Sequence, residues 1–291
     1  MKILDGKKLS KQIKEEIKKS VGLRKEKGKK IPHLAAVLVG NDGASLTYVG
    51  SKVRSCEQVG FKSTLIRLES SITEQALVSK IKELNNDEKL DGYIVQLPLP
   101  KHINEEKILL TIDPKKDVDG FHPSNFGRMT LELDSFIPAT PFGIMELLRR
   151  NNIDISGKHC LVMGRSHIVG RPISILMSQN GNPGNATVTL AHSKTKNIEQ
   201  LTQKADIIVS ALGIPEFLRA DMVKDGVIVI DVGITRVPDD THPKGYLIKG
   251  DVAYDEVSKK SSYITPVPGG VGPMTIAMLL QNTLLSCERN S

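Results

Sequence analysis

Tyr48 and Lys52 stand four residues apart in the segment Ser45 to Gln58, whose apolar stripe is Leu46, Val49, Val53 and Cys56. At helical spacing the two are neighbours on the border between core and solvent. A lysine held there is partly desolvated, which favours its neutral form and makes an amine available for proton transfer. Spacing alone also describes a surface lysine lying over a tyrosine ring, the commoner arrangement. Gln96 closes a short apolar run before Leu97-Pro98-Leu99-Pro100, where it serves either as a polar group at a strand end or as a turn former. Asp117 and Asp119 bracket a second turn ending in Gly120, and turn-making is the usual task of Asp-Gly. A third chemistry-bearing stretch is Gly164-Arg165-Ser166-His167-Ile168-Val169-Gly170, between the apolar run Cys160 to Met163 and an amphipathic segment opening at Arg171-Pro172. Strand, glycine-flanked loop and helix aim backbone N–H groups at a phosphate. Ser166 and Val169 occupy the second and third positions of G-x-G-x-x-G, so the fingerprint is incomplete and an αβ connection without ligand fits equally well.

The expected dinucleotide can be narrowed from the next strand, Thr187 to Ala191. An NAD fold places a carboxylate near its end for the ribose 2′-hydroxyl. This chain has His192-Ser193-Lys194-Thr195, hydroxyls and a cation suited to a 2′-phosphate, or else a plain polar loop.

These residues need elements to hold them. Apolar runs at His33 to Val39, Lys62 to Leu68 and Tyr93 to Gln96 alternate with helical patterns, one of them opened by a capping-box spacing of Ser71 and Glu74. After a turn-rich region and a helix from Phe142 to Asn151, strands are expected at Thr187 to Ala191, Asp206 to Ser210, Val227 to Asp231 and Tyr263 to Thr265, before a helix from Pro273 to Leu285. Alternating strands and helices imply an α/β protein with parallel sheets. In such sheets ligands lie beyond the carboxyl ends of the strands, which is where Gln96, Gly164, Ser193 and Ile234 fall.

A chain of 291 residues with 39% hydrophobic and 25% charged residues has the composition of a globular protein of one large or two ordinary domains. Its three cysteines, Cys56, Cys160 and Cys287, are far apart, which argues against a disulfide framework or a metal site and fits a reducing cytoplasm. No apolar run reaches membrane-spanning length. The net charge of +7 is concentrated in residues 1–30, with 12 Lys/Arg against 4 Asp/Glu. Leu9, Ile13, Ile17 and Val21 recur every fourth residue there, the mark of an amphipathic helix with a solvated lysine face. With 4% aromatic residues and none among these lysines, nucleic-acid binding has little support.

Taken together, VGNDGASLTYVGSK (39–52), DGYIVQLPLP (91–100), PKKDVDGFHP (114–123), GRSHIVGRP (164–172), ATVTLAHSKT (186–195), DVGI (231–234) and ITPVPGGVGPMT (264–275) resemble the bifunctional methylenetetrahydrofolate dehydrogenase/methenyltetrahydrofolate cyclohydrolase family, in the family's order. The resemblance implies a homodimer of two-domain subunits with the active site in the cleft between domains. A folate-binding catalytic domain would span 1–141 and be completed by a C-terminal helix, 273–291. A Rossmann-like NADP-binding domain would span 142–272. Lys52 matches the catalytic lysine, Tyr48 the aromatic beside it, Gln96 the glutamine that hydrogen-bonds it, and Asp119 the carboxylate that grips the pterin. Val95 and Leu97, flanking Gln96, fall in the same substrate-binding segment. Gly164, Arg165, Ser166, Ser193 and Ile234 match cofactor contacts, and Pro268, Gly269, Gly270 and Gly272 the loop that closes over the folate. The implied activity is NADP-dependent oxidation of 5,10-methylenetetrahydrofolate, then hydrolysis to 10-formyltetrahydrofolate, in one-carbon metabolism, with no metal. Folates carry anionic glutamate tails, a possible use for the lysine surplus. Two departures stand out: Ala139 replaces the cysteine of many members, and the 180–185 connection is longer than in many. A different two-domain NADP dehydrogenase acting on a hydroxy acid is the alternative, but that class does not require PGGVGPMT.

Overall fold

The computed structural model describes residues 1–243 and 245–290; the end of the expected 273–291 helix at Ser291 lies outside the described residues. Strands β1 (Lys2–Ile3), β2 (His33–Val39), β3 (Lys62–Leu68) and β4 (Gly92–Val95) come first. They are followed by β5 (His159–Met163), β6 (Thr187–Ala191), β7 (Ile207–Ser210), β8 (Ile228–Asp231), β9 (Thr235–Pro238), β10 (Tyr246–Lys249) and β11 (Tyr263–Ile264). The helices are α1 (Gly6–Glu26), α2 (Gly43–Val59), α3 (Glu74–Asn86), α4 (Glu105–Thr111) and α5 (Pro123–Thr130). The later ones are α6 (Ala139–Arg150), α7 (Gly170–Ser178), α8 (Ile198–Lys204), α9 (Tyr254–Val257) and α10 (Val271–Arg289).

The chain forms two compact units. The first comprises Met1–Ser10 and Thr140–Thr275, the second Lys11–Ala139 and Ile276–Ser291. In the second unit the sheet order is β3-β2-β4, all parallel, with Leu34 to Val37 registered on Gly92 to Val95. An isolated parallel bridge from Tyr93 to Asp117 carries the pairing one segment further. The chain leaves β2 to form β3 on one side and later β4 on the other, so the connections reverse direction between β2 and β4. A crevice opens at the carboxyl ends of strands where that reversal occurs. Ala35, Val37, Leu77, Ile81, Tyr93 and Ile108 are buried in this unit's core.

The first unit holds a six-stranded parallel sheet in the order β1-β11-β8-β7-β5-β6. Its connections reverse between β5 and β7, the second crevice that strand order alone creates. β9 and β10 form a separate antiparallel pair. Leu161, Ile208, Val229 and Ile264, all fully buried, lie in its core. Strands buried on both faces read as continuous apolar runs, which is why the sequence betrays them.

Local chemistry sets the helix starts. Asp42 caps α2 by accepting from Ser45 N at 2.8 Å, and Gly60 ends it at φ +82°. The start of α3 differs from the expected capping box: Thr73, not Ser71, is the N-cap, accepting from Ala76 N at 3.2 Å. Glu74 turns away to accept from Asn104 N and to pair with Lys107, which ties α3 to α4. A neighbouring helix thus competes for the acid that a local box would have used.

Candidate active site

Lys52 lies on α2 directly after β2, and Gln96 directly after β4, so the two flank the crevice of the second unit. Lys52 Nζ donates to Gln96 Oε1 at 3.2 Å. Gln96 is held on both sides: its backbone N–H donates to Val37 O at 2.9 Å, and its Nε2 donates to Leu97 O at 2.7 Å. A carbonyl can only accept, so the second bond fixes the amide orientation and leaves Oε1 facing the lysine. Tyr48 is 41% exposed, one turn earlier on the same helix. Val95, by contrast, points its side chain into the core, where it is 4% exposed.

The two aspartates of the turn do different work. Asp117 accepts from His122 N at 2.8 Å, Phe121 N at 3.2 Å and Asn125 Nδ2 at 2.9 Å. Burial pushes its carboxyl up to about 6 in spite of these donors. Its job is to hold the turn. No described residue donates a hydrogen bond to the Asp119 carboxylate; burial raises its pKa, and the Lys52 charge opposes that shift. The backbone beside it is clamped from α10, where the buried Asn282 Nδ2 donates to Val118 O and to Ile137 O, each at 2.9 Å. Gly120 sits at φ +75°, where a Cβ would lie 2.7 Å from Pro138 N, so the turn admits only glycine. The arrangement is one amine, one oriented amide oxygen and one carboxylate with open acceptor positions.

In the first unit the carboxyl ends of β5, β6 and β7 surround a cavity of about 410 Å³. Gly164, Arg165, His192, Ser193 and Thr195 line its polar side, and Leu212, Ile214 and Phe217 contribute apolar wall. Gly164 is at φ +114° with its missing Cβ 2.2 Å from Ala211 O, and a Cβ on Gly170 would lie 1.9 Å from Gly164 O. These glycines let the loop pack on itself and on the end of β7, which sets it before the N-terminus of α7, where an anion is favoured. Ser166 plays an internal part: its Oγ accepts from Val169 N at 3.2 Å and Gly170 N at 3.3 Å, which occupies two amides that the loop alone was expected to present outward. Thr195 Oγ1 accepts from His192 N and His192 Nδ1 accepts from Lys194 N, so Ser193 rides on a braced turn. Lys194 is not among the residues that line the cavity. Among the described residues no carboxylate lines it, and Arg165 brings a positive charge. A dinucleotide with a 2′-phosphate fits this wall; a bare ribose 2′-hydroxyl would lack the usual acceptor.

A smaller cavity of about 120 Å³ in the same unit brings together Ile234 and the loop Pro268, Gly269, Gly270 and Gly272. Lys7 N donates to Gly269 O at 2.8 Å, so the start of the chain pins this loop. Gly6 must be glycine there, because a Cβ would lie 1.8 Å from Gly270 O. The buried Asp231 also lines this cavity. The apolar residues Leu212, Ile214 and Phe217 and the carboxylates Asp231 and Asp251 were not singled out from sequence. The exposure of Ile214, an isoleucine 50% open to solvent, is visible only in the fold.

Family models settle the kinship. That for the tetrahydrofolate dehydrogenase/cyclohydrolase catalytic domain matches residues 4–119, and that for the NAD(P)-binding domain of the same family matches 138–291. The chain belongs to the tetrahydrofolate dehydrogenase/cyclohydrolase family. It is 69% identical to the bifunctional protein FolD of Flavobacterium johnsoniae, over 100% of this chain and 99% of that one. The crystal structure of the FolD methylenetetrahydrofolate dehydrogenase/cyclohydrolase from Campylobacter jejuni is similar, at TM-score 0.94 and 50% identity, with both chains covered in full at 100%. The Trypanosoma brucei enzyme, solved with NADP and an inhibitor, superposes at TM-score 0.92 with 39% identity, covering 99% of this chain and 97% of that one. Among the described residues no helix is long and apolar enough to cross a membrane, and no group of three or more His, Cys, Asp or Glu is placed to hold a metal ion.

Proposed function

We propose that this chain oxidises 5,10-methylenetetrahydrofolate to the 5,10-methenyl cation with NADP+ and then hydrolyses that cation to 10-formyltetrahydrofolate. The observation that carries the reading is Lys52 Nζ held at 3.2 Å on an amide oxygen whose orientation is fixed from behind. The bound dinucleotide supplies the hydride acceptor. Oxidation of a methylene carbon between two nitrogens requires no general base, because the nitrogen lone pairs stabilise the cation that remains. Alignment is the main demand on the protein. Arg165 and Ser193 bind the 2′-phosphate side, and Gly164 lets the backbone approach the pyrophosphate. Asp119 takes the N–C(NH2)–N edge of the pterin through two parallel hydrogen bonds, the use to which a carboxylate without a protein donor is suited.

Hydrolysis does need proton movement. Water adds to the methenyl carbon and gives one proton to Nζ of Lys52; the same group returns that proton to the ring nitrogen as its C–N bond breaks, and the remaining hydroxyl proton passes to solvent as the formyl C=O forms. Gln96 holds Nζ in place, and Tyr48, one turn earlier on the same helix, offers an exposed ring to the substrate. Ile234, Pro268, Gly269, Gly270 and Gly272, which share one small cavity of the first unit, are ligand contacts in this reading; Val95 and Leu97 act through Gln96's backbone neighbourhood. The enzyme is assigned to the cytoplasm and to a homodimer, and the lysine face of α1 offers countercharge to a polyglutamate tail.

The test is an assay of purified protein with 5,10-methylenetetrahydrofolate and NADP+, following NADPH and the methenyl chromophore separately. Both activities are expected, with kcat/KM for NADP above that for NAD; absence of methenyl decay would overturn the hydrolytic half. Light scattering on the eluted peak reads the dimer.

A further inference from the structure

Two buried carboxylates of the first unit, Asp231 and Asp251, are not used in the chemistry above; Asp231 borders the smaller cavity and Asp251 lines neither. Asp251, 0% exposed, follows β10. Its Oδ2 accepts from Leu212 N at 2.6 Å and Ser210 Oγ at 3.3 Å, and its Oδ1 accepts from Ile214 N at 3.0 Å. Leu212 and Ile214 both form wall of the larger cavity. Asp231, at the end of β8, accepts from Asp251 N and Gly233 N at 2.9 Å and from Val252 N at 3.0 Å. The backbone around 250–253 is stitched further to the segment after β7: Glu216 N donates to Gly250 O, and Leu218 N to Asp251 O. Space for the pair is made by two glycines. A Cβ on Gly233 would lie 2.3 Å from Asp251 Oδ1, and one on Gly250 would lie 2.0 Å from Asp231 Oδ2.

A single carboxylate therefore gathers two alternate amides of the loop after β7 and the hydroxyl of the residue that ends that strand. Alternate N–H groups of an extended loop do not face one acceptor unless the loop is bent around it. An acid buried this deeply is costly to keep unless its donors repay the lost hydration. A hydrocarbon core residue would fill the space more cheaply, so the acid's presence is explained by the backbone shape it imposes. That shape sets the wall against which the dinucleotide lies.

We infer that Asp251 is the positioning residue for the dinucleotide, fixing its affinity by bending the 211–214 loop, without touching either substrate. The inference rests on the reading of the larger cavity as the NADP site. Its test is the Asp251→Asn variant of the full-length protein. The amide keeps the size of the carboxylate but turns one acceptor into a donor facing an N–H. NADP is titrated directly by calorimetry, and the cyclohydrolase reaction, run on methenyltetrahydrofolate without dinucleotide, reports on the other unit. The expected result is a Kd for NADP raised roughly tenfold, the loss of one buried hydrogen bond, with cyclohydrolase kcat/KM held within about twofold. An unchanged Kd, or a parallel fall of both readouts, would overturn it, the second because it marks a merely structural acid. If the variant does not fold, Ser210→Ala, which removes only the 3.3 Å donor, decides. A rise in Kd of about two- to threefold with intact cyclohydrolase supports the inference, and none refutes it. Failure of the wild-type protein to bind NADP would instead sink the assignment of the cavity, so the two failures are separable.

Discussion

Asn282 is the place to challenge how the folate side is built. Its side-chain amide donates two 2.9 Å hydrogen bonds from α10, one to the carbonyl before Asp119 and one to the carbonyl before Pro138, and the residue is 1% exposed. Asn282→Ala removes both bonds and leaves one buried and one part-buried carbonyl without their donor. At a net value of about 1 kcal/mol for each bond, plus the cost of the orphaned acceptors, the local loss is about 2–4 kcal/mol. Amide exchange of the 114–137 segment, followed by mass spectrometry, reads this directly. Protection there should fall roughly 30- to 1,000-fold, since 1.4 kcal/mol is a factor of ten. Because the released segment carries Asp119, KM for the folate should rise while the Kd for NADP, set in the other unit, stays put. Exchange within about threefold of wild type would refute the clamp, and a matching loss of NADP binding would refute its local character.

Lys52→Met should abolish methenyl decay, a fall of at least about a hundredfold, with the fold intact because the side chain is only half-buried; decay at the wild-type rate would remove Lys52 from the mechanism. Gly164→Ala should weaken NADP binding strongly, since its Cβ would lie 2.2 Å from Ala211 O, while cyclohydrolase is spared; equal affinity would show that the loop has room. Burial pushes Asp231 up to about 7. Between the ordinary carboxylate range and that value the folded state keeps a proton that the unfolded chain has released, so this group's contribution to stability falls as pH rises. Urea midpoints taken from pH 4 to 7 should therefore carry a downward contribution that Asp231→Asn removes; an identical slope in both proteins would contradict the assignment.

Much of the architecture was legible because burial writes itself into composition. The runs His33–Val39, Lys62–Leu68 and Thr187–Ala191 are observed strands at the expected bounds, and the rule of strand carboxyl ends led to Gln96, Gly164 and Ser193. Elements whose pairing comes from distant chain were not legible. β1 is two residues that exist as a strand only through β11, and the β9–β10 hairpin lies in a polar stretch whose half-exposed faces give no apolar run. The cap of α3 was misplaced by two residues because Glu74 answers to Lys107, far along the chain. Tyr48 and Lys52 could be seen as neighbours, but the bond to Gln96 spans 44 positions and no spacing announces it. Asp117 and Asp119 look alike in the sequence, and only the donors around the first tell them apart. Asp251 sits in Lys249-Gly250-Asp251, which reads as an ordinary turn, and Asn282 is one of several polar residues on α10, beside Gln281 and Thr283, with nothing in the spacing to single it out.

The second unit begins at Lys11 but includes Ile276–Ser291, with the first unit's main segment inserted between. As the ribosome works from the amino end, the Asp119 turn emerges long before Asn282 and Ser286, whose side chains bond the carbonyls of Val118, Ile137 and Asp91. The second unit of the nascent protein must therefore wait, open at one face, until the first unit's main segment has been translated. Any early stop or lagging terminus would strand it in that unfinished state.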